Sequence, residues 1–305
     1  MDLAKVVVII FAISILCITI IFSGLSNVGR VRNIQTNKNL FPDGFANNNQ
    51  QALIEPVDGI YATWIAVYIY QAIWIFYAAS LTLKCDSPEI INKKVYATYL
   101  FALTCNIVWM FIWCRRIFSL GFVFYILQAV SLDICLYFAT SACLQYLENF
   151  PQARQSPVVS HLWAFRLLVI NGISFFTGWV SITGLVDLVV VLQLDLDVPA
   201  IPASKVGLSL MAIGMITWAV IQNSVCKEQT RFMFAEYIPI MVVLGGMIAK
   251  EWNHEHEVIR SFALALFVIS LMLCLFRLGM IITQEAKRKA LQFGNQEAGE
   301  NVKLI

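Results

Sequence analysis

The sequence is poor in charged residues. Asp, Glu, Lys and Arg make up 13% of its 305 residues, and 59% of the residues are hydrophobic. Soluble domains carry about 25% charged residues, because their surfaces must be hydrated. The shortage of charge therefore predicts an integral membrane protein whose main partner is the lipid bilayer. The formal net charge of +2 and the lack of a long basic run exclude nucleic acid as a partner.

The sequence also lacks the short motifs that carry chemistry. It contains no G-x-S-x-G, no H-E-x-x-H, no C-x-x-C and no Gly-rich phosphate loop. Its three histidines, at positions 161, 254 and 256, avoid the centres of the apolar runs, so they do not form the paired axial ligands of a membrane haem. We therefore predict a protein that is not an enzyme, holds no metal and requires no cofactor.

Long apolar runs are present instead, and they predict an all-α, polytopic bundle of about eight transmembrane helices. A helix that crosses the hydrocarbon needs about 20 mostly apolar residues. Loops rich in Pro, Gly and charge separate the runs, and the longest connection, 26–59, is rich in Asn and Gln. The predicted spans are 5–24, 60–83, 95–114, 119–145, 163–192, 206–226, 232–249 and 258–283.

The first span also has the form of a signal peptide, with one Lys, an apolar run and then small residues. Its apolar run of 17 residues exceeds the usual 7–15, which favours a retained helix over cleavage of residues 1–24. With eight spans, Lys and Arg are more frequent on the side of the N-terminus. The positive-inside rule then predicts that both termini lie in the cytosol.

Two carboxylates fall inside the predicted spans. Asp133 lies near the centre of the fourth span, and Asp187 lies toward the outer end of the fifth. An Asp in the middle of a span costs about 2.5–3.5 kcal/mol by insertion scales, so it normally faces the bundle interior. Both residues are candidates for a proton or ion relay. The alternative is a hydrogen-bonded carboxylate that only fixes the register of its helix.

Three predicted helices carry large aromatics together with a small polar residue on one face. At 100° per residue the members of each set lie close together around the helix. Such faces suit the wall of an apolar pocket with a few hydrogen-bonding points. They equally suit helix contacts or interfacial aromatic belts. The three sets are Trp64, Tyr68 and Gln71; Asn106, Trp109 and Trp113; and Phe176, Trp179 and Thr183.

These residues resemble a known family. The stretch "NIVWMFIW" is similar to the N-x-x-W-x-x-x-W signature in the third helix of proteins related to TspO, the tryptophan-rich sensory protein or peripheral-type benzodiazepine receptor. "PVDGIYATWIAVYIYQAIW" and "FFTGWVSITGLVD" resemble the second-helix and fifth-helix patterns of that family. The chain departs from the family pattern at Phe176, where Tyr is expected, and at Asp187, where Asn is expected.

The resemblance implies a five-helix core over 1–192 that includes the loop 26–59. A three-helix extension over 193–283 and a cytosolic tail over 284–305 follow it. It also implies a pocket for a porphyrin- or sterol-like molecule, lined by the three sets above, which suits a sensor or carrier. Assembly into homo- or hetero-oligomers stays open. Two other classes of function stay open: an ion- or proton-coupled transporter or channel that uses Asp133 and Asp187, and an accessory membrane subunit.

Overall fold

The computed structural model of the protein describes residues 9–20, 63–83, 91–149, 158–252 and 256–303. The described part is helical and contains no strand. Two helices are prolonged by π-helical stretches, Phe165–Ile170 after α5 and Ile221–Val225 after α7. The helices are Ile9–Ile20 (α1), Thr63–Leu83 (α2), Lys93–Cys114 (α3), Phe118–Asn149 (α4), Val158–Ala164 (α5), Asn171–Leu194 (α6), Ala200–Val220 (α7), Tyr237–Glu251 (α8) and Glu257–Lys303 (α9).

The prediction of a helical membrane bundle is confirmed. Among the described residues, six helical segments are long and apolar enough to cross a bilayer. Two of the eight predicted spans appear as shorter apolar helices, Ile9–Ile20 and Tyr237–Lys250. A helix suits a lipid environment because it satisfies its backbone N–H and C=O groups internally. The predicted loop 26–59 lies outside the described residues, and the orientation of the termini stays a prediction.

The start of α8 differs from the expected span 232–249. The helix begins only at Tyr237, because Asn171 on α6 binds the backbone just before it. The Asn171 amide nitrogen donates to the Phe232 carbonyl at 2.9 Å. Its amide oxygen accepts from the backbone N–H groups of Phe234 and Ala235 at 3.1 and 3.2 Å. These bonds replace the helical ones, so the backbone before α8 runs as a non-helical segment inside the bundle.

The helix α6 forms the centre of the bundle. It belongs to the most buried of the six long segments, His161–Leu194, in which 72% of the apolar 18-residue window is buried, against at most 44% of the corresponding window in the others. The helices α2, α4, α7 and α8 all pack against it. Close packing is possible because α6 carries Gly at contact points. A Cβ on Gly178 would lie 2.4 Å from the backbone oxygen of Glu236.

The C-terminal helix is longer than the predicted span 258–283. It contains 47 residues, Glu257–Lys303, so the helix continues through the region predicted as a tail. The predicted boundary between core and extension, at 192–193, falls in the last turn of α6. Since α7 and α8 pack on α6, the division into core and extension stays a prediction.

Candidate functional site

An aromatic cluster joins α2, α3 and α6. Its central member is Trp64, in the first turn of α2, which is 6% exposed. The Trp64 ring stacks on the Trp109 ring of α3 at 6.2 Å between centroids. It meets Trp179 and Phe176 of α6 edge-on, at 5.5 and 6.3 Å, and stacks on Tyr68 at 5.3 Å. Three of the indole rings that the sequence singled out therefore converge on one place.

The cluster extends along the α3–α4 pair. The Trp109 ring contacts Tyr125 of α4 edge-on at 4.9 Å and Trp113 at 5.9 Å. Trp113 in turn meets Phe118 at 5.0 Å. Aromatic pairs in such geometries contribute about 0.5–1.5 kcal/mol each beyond their burial. These rings together form a continuous surface from the start of α2 to the start of α4, which we call the aromatic wall. Its members are Trp64, Tyr68, Trp109, Trp113, Phe118, Tyr125, Phe176 and Trp179.

Several polar groups at this wall already have partners. The indole N–H of Trp109 donates to the Asp187 carboxylate at 3.1 Å. The Tyr125 hydroxyl is hydrogen-bonded to Thr183, whose own hydroxyl also donates to the Trp179 carbonyl at 2.7 Å. Asp187 and Thr183 therefore hold neighbouring side chains in position.

Three other polar groups of the cluster are buried without a hydrogen-bond partner. Asn106 and Gln128 are both 0% exposed, and neither end of either amide has a partner among the described residues. The indole N–H of Trp179 is also buried and unpaired in this part of the chain. More than about 90% of buried polar groups in proteins are hydrogen-bonded, so each exception calls for an explanation.

The two unpaired amides lie at similar depth on the antiparallel pair α3 and α4. Two contacts mark positions along this pair. The Trp109 ring contacts Tyr125 nearer the end of α3, and the Ser131 hydroxyl donates to the Thr98 carbonyl at 2.7 Å nearer its start. Asn106 and Gln128 both lie between these two contacts, each about one helical turn from the Trp109–Tyr125 contact. An amide-rich patch therefore borders the aromatic wall.

A comparison with models of protein families identifies the family of the chain. The family model of the TSPO-like proteins matches residues 8–276 of the chain. The chain belongs to the TSPO-like protein family. The match covers the predicted five-helix core and nearly all of the predicted extension. No curated protein and no solved structure matches the chain.

Most of the site residues predicted for this TSPO-like protein lie at the aromatic wall. Gln71 is placed differently, because its amide is fully used in a bridge between helices. The Gln71 nitrogen donates to the Gly172 carbonyl at 2.9 Å, and its oxygen accepts from the Trp74 indole at 2.8 Å. The residues found at the wall are Trp64, Tyr68, Asn106, Trp109, Trp113, Phe176, Trp179 and Thr183.

The two predicted relay carboxylates do not share a site. Asp187 binds the Trp109 indole at the aromatic wall. Asp133 lines a cavity between α4, α6 and α7, and Asp187 is not part of that cavity. Asp133 is exposed at the surface of the bundle, and so is Tyr137, which follows it by one turn.

Sequence reasoning missed a polar centre around Glu236, at the start of α8. This carboxylate is 4% exposed and accepts hydrogen bonds from Ser174, Gln222 and Trp218. The Gln222 oxygen also accepts from the Tyr237 hydroxyl at 2.7 Å. Glu236 falls inside the predicted span 232–249, so the criterion that selected Asp133 and Asp187 would have found it. Gln128, an amide inside the fourth span, would have been found by the same search that selected Asn106.

Proposed function

We propose that this TSPO-like protein binds an apolar molecule with a polar edge, of the porphyrin or sterol kind, at the aromatic wall. The flat face of the ligand packs against Trp64, Trp109 and Trp179. Its polar edge bonds the amides of Asn106 and Gln128. Binding of this kind suits a sensor or a carrier in the membrane.

The observation that carries the proposal is the pair of buried, unpaired amides beside the wall. A buried polar group without a partner destabilises the fold by about 1–3 kcal/mol. In the apolar interior of a membrane bundle, Leu in place of Asn106 would avoid that loss. A ligand with polar atoms restores the lost stability, because the amide forms hydrogen bonds to the ligand in the bound state. The amides therefore favour a ligand-binding wall over a purely structural aromatic contact.

The rings of the wall contact one another, so binding requires them to separate. Trp64 lies in the first turn of α2 and is the ring that joins α2 to α3 and α6. Insertion of a ligand between Trp64 and Trp109 changes the surroundings of both indoles. Tryptophan fluorescence is therefore a direct reporter of binding at this wall.

The first test is a titration of the purified full-length protein with protoporphyrin IX and with cholesterol, followed by tryptophan fluorescence. Trp109→Ala is expected to weaken the affinity for the ligand that binds at least tenfold, since a buried aromatic contact contributes about a kcal/mol or more. Trp252→Ala is the matched control, because Trp252 is 65% exposed and lies far along the chain from the wall. The affinity of the Trp252→Ala variant for the same ligand should equal that of the parent protein.

A second variant separates binding from folding. Asn106→Leu keeps the size of the side chain and removes only the amide, so it should weaken binding about tenfold while the protein stays folded. Equal affinities in the parent protein, Trp109→Ala and Asn106→Leu would contradict the proposal. Failure of both ligands to bind would limit the wall to a structural role.

A further inference from the structure

A cavity of about 220 Å³ lies between α4, α6, α7 and the start of α8. On α6 it is lined by Gly178, Ser181, Ile182 and Leu185. At about 100° per residue, these positions face away from Phe176, Trp179, Thr183 and Asp187. The cavity and the aromatic wall therefore occupy opposite faces of one central helix.

The cavity has an open end and a closed end. Asp133, Ser181 and Gly214, which line it, are exposed at the surface of the bundle. Glu236 and Met211, which also line it, are 4% and 1% exposed. The cavity thus opens sideways, near the middle of α4, and ends at the buried carboxylate of Glu236.

Its walls are mostly apolar, yet a carboxylate lies at each end. Glu236 has three neutral donors, Ser174, Gln222 and Trp218. For Asp133 no hydrogen bond is found within the described ranges. Neither carboxylate forms an ion pair with a Lys or Arg in that part of the chain. The nearby guanidinium of Arg277 binds the Thr230 and Met233 carbonyls and the Asn223 amide oxygen.

Asp133 is the carboxylate of this cavity that has no cation beside it among the described residues, since Arg277 interacts electrostatically with Glu236. A carboxylate at mid-membrane depth is costly unless it is paired, and one at the bundle surface is rarer still. An inorganic cation would need a cage of oxygen ligands, which apolar walls do not supply. An organic cation suits both the apolar walls and the carboxylate of Asp133, because its apolar body fills the cavity and its charge pairs with the carboxylate.

We propose that this cavity is a second binding site, for a small organic ammonium ion that reaches it from the side of the bundle. The ammonium group pairs with Asp133 at the mouth of the cavity. The body packs against Ile182, Leu185 and Met211. The volume exceeds the roughly 150 Å³ of an engineered protein cavity that binds benzene, so it admits a group of phenylethyl size.

The test compares 2-phenylethylamine with 2-phenylethanol, its neutral counterpart of the same shape. Binding to the purified full-length protein is measured by isothermal titration calorimetry, in a buffer with excess potassium chloride. We expect the amine to bind and the alcohol to bind at least tenfold more weakly. Asp133→Asn should weaken amine binding at least tenfold and leave alcohol binding unchanged.

A second variant tests the cavity without altering charge. A Cβ on Gly214 would meet no atom within 4 Å, so Gly214→Leu extends into the cavity without a clash and should abolish amine binding. Gly279→Leu is the matched control: Gly279 also has open space at its Cβ, but it lies on α9 and does not line the cavity. This variant should bind the amine like the parent protein.

Three results would overturn the proposal. The first is equal binding of the amine and the alcohol, which would show that the carboxylates do not select charge. The second is full amine binding in both Asp133→Asn and Gly214→Leu, which would place the amine elsewhere. The third is no amine binding in potassium chloride, which would show that the site does not take an organic cation of this size.

Discussion

Replacing Gly178 by Ala is expected to destabilise the protein by about 3 kcal/mol, as measured by thermal unfolding in detergent. A Cβ at this position would lie 2.4 Å from the backbone oxygen of Glu236 and 2.9 Å from its Cα. Overpacking of an interior usually destabilises by about 1–3 kcal/mol, and more where the neighbour cannot move. Here the neighbour is backbone, and Asn171 and Arg277 hold the segment before it.

Gly214→Ala is the control for this prediction. Gly214 also lies in a membrane helix, but a Cβ there would meet no atom within 4 Å. Since Ala is the better helix former by about 1 kcal/mol, Gly214→Ala should be neutral or slightly stabilising. If Gly178→Ala and Gly214→Ala lost similar amounts of stability, helix geometry, and not the contact with Glu236, would make Gly178 necessary.

Leu substitutions at Asn171 and Asn106 are expected to have opposite effects on thermal stability. Asn171→Leu leaves the N–H groups of Phe234 and Ala235 and the Phe232 carbonyl without their side-chain partner. Each buried group left unpaired costs about 1–3 kcal/mol, so the expected loss is at least about 3 kcal/mol. Asn106→Leu removes two buried atoms that have no partner among the described residues, and should stabilise the ligand-free protein by about 1 kcal/mol.

The contrast between the two variants tests how the chain uses its buried amides. A large loss of stability in Asn106→Leu would show that this amide is bonded in the folded protein, and would remove the main support for the aromatic wall as a binding site. Unchanged stability in Asn171→Leu would show that the segment before α8 does not depend on its amide anchor.

Much of the aromatic wall could be predicted from the sequence, because a side-chain pattern at helical spacing fixes which residues share a face. Asn106, Trp109 and Trp113 lie three to four residues apart, and so do Trp64 and Tyr68. The helices α2 and α3 are continuous over these positions, so these local patterns survive folding. Spacing could not show that Trp64 is the ring that joins α2 to both α3 and α6, since that depends on how the helices pack.

The hydrogen-bond partners of Glu236 could not be predicted in the same way. Glu236 lies just outside a regular helix, and its three donors come from residues 14 to 62 positions away along the chain. Hydropathy placed a continuous span across 232–249, because it cannot detect a break that Asn171 on another helix produces. The amide of Gln71 was predicted at a ligand site, and its face alone did not reveal the Gly172 carbonyl that it binds on α6.

The helix α9 continues well beyond its apolar run. The run ends at Thr283, before Gln284 and Glu285, whereas the helix extends to Lys303. At 1.5 Å per residue, residues 284–303 form a rod of roughly 30 Å beyond the apolar run. Any tilt of α9 against α8, on which it packs, therefore displaces the tip of this rod farther than it displaces the apolar run.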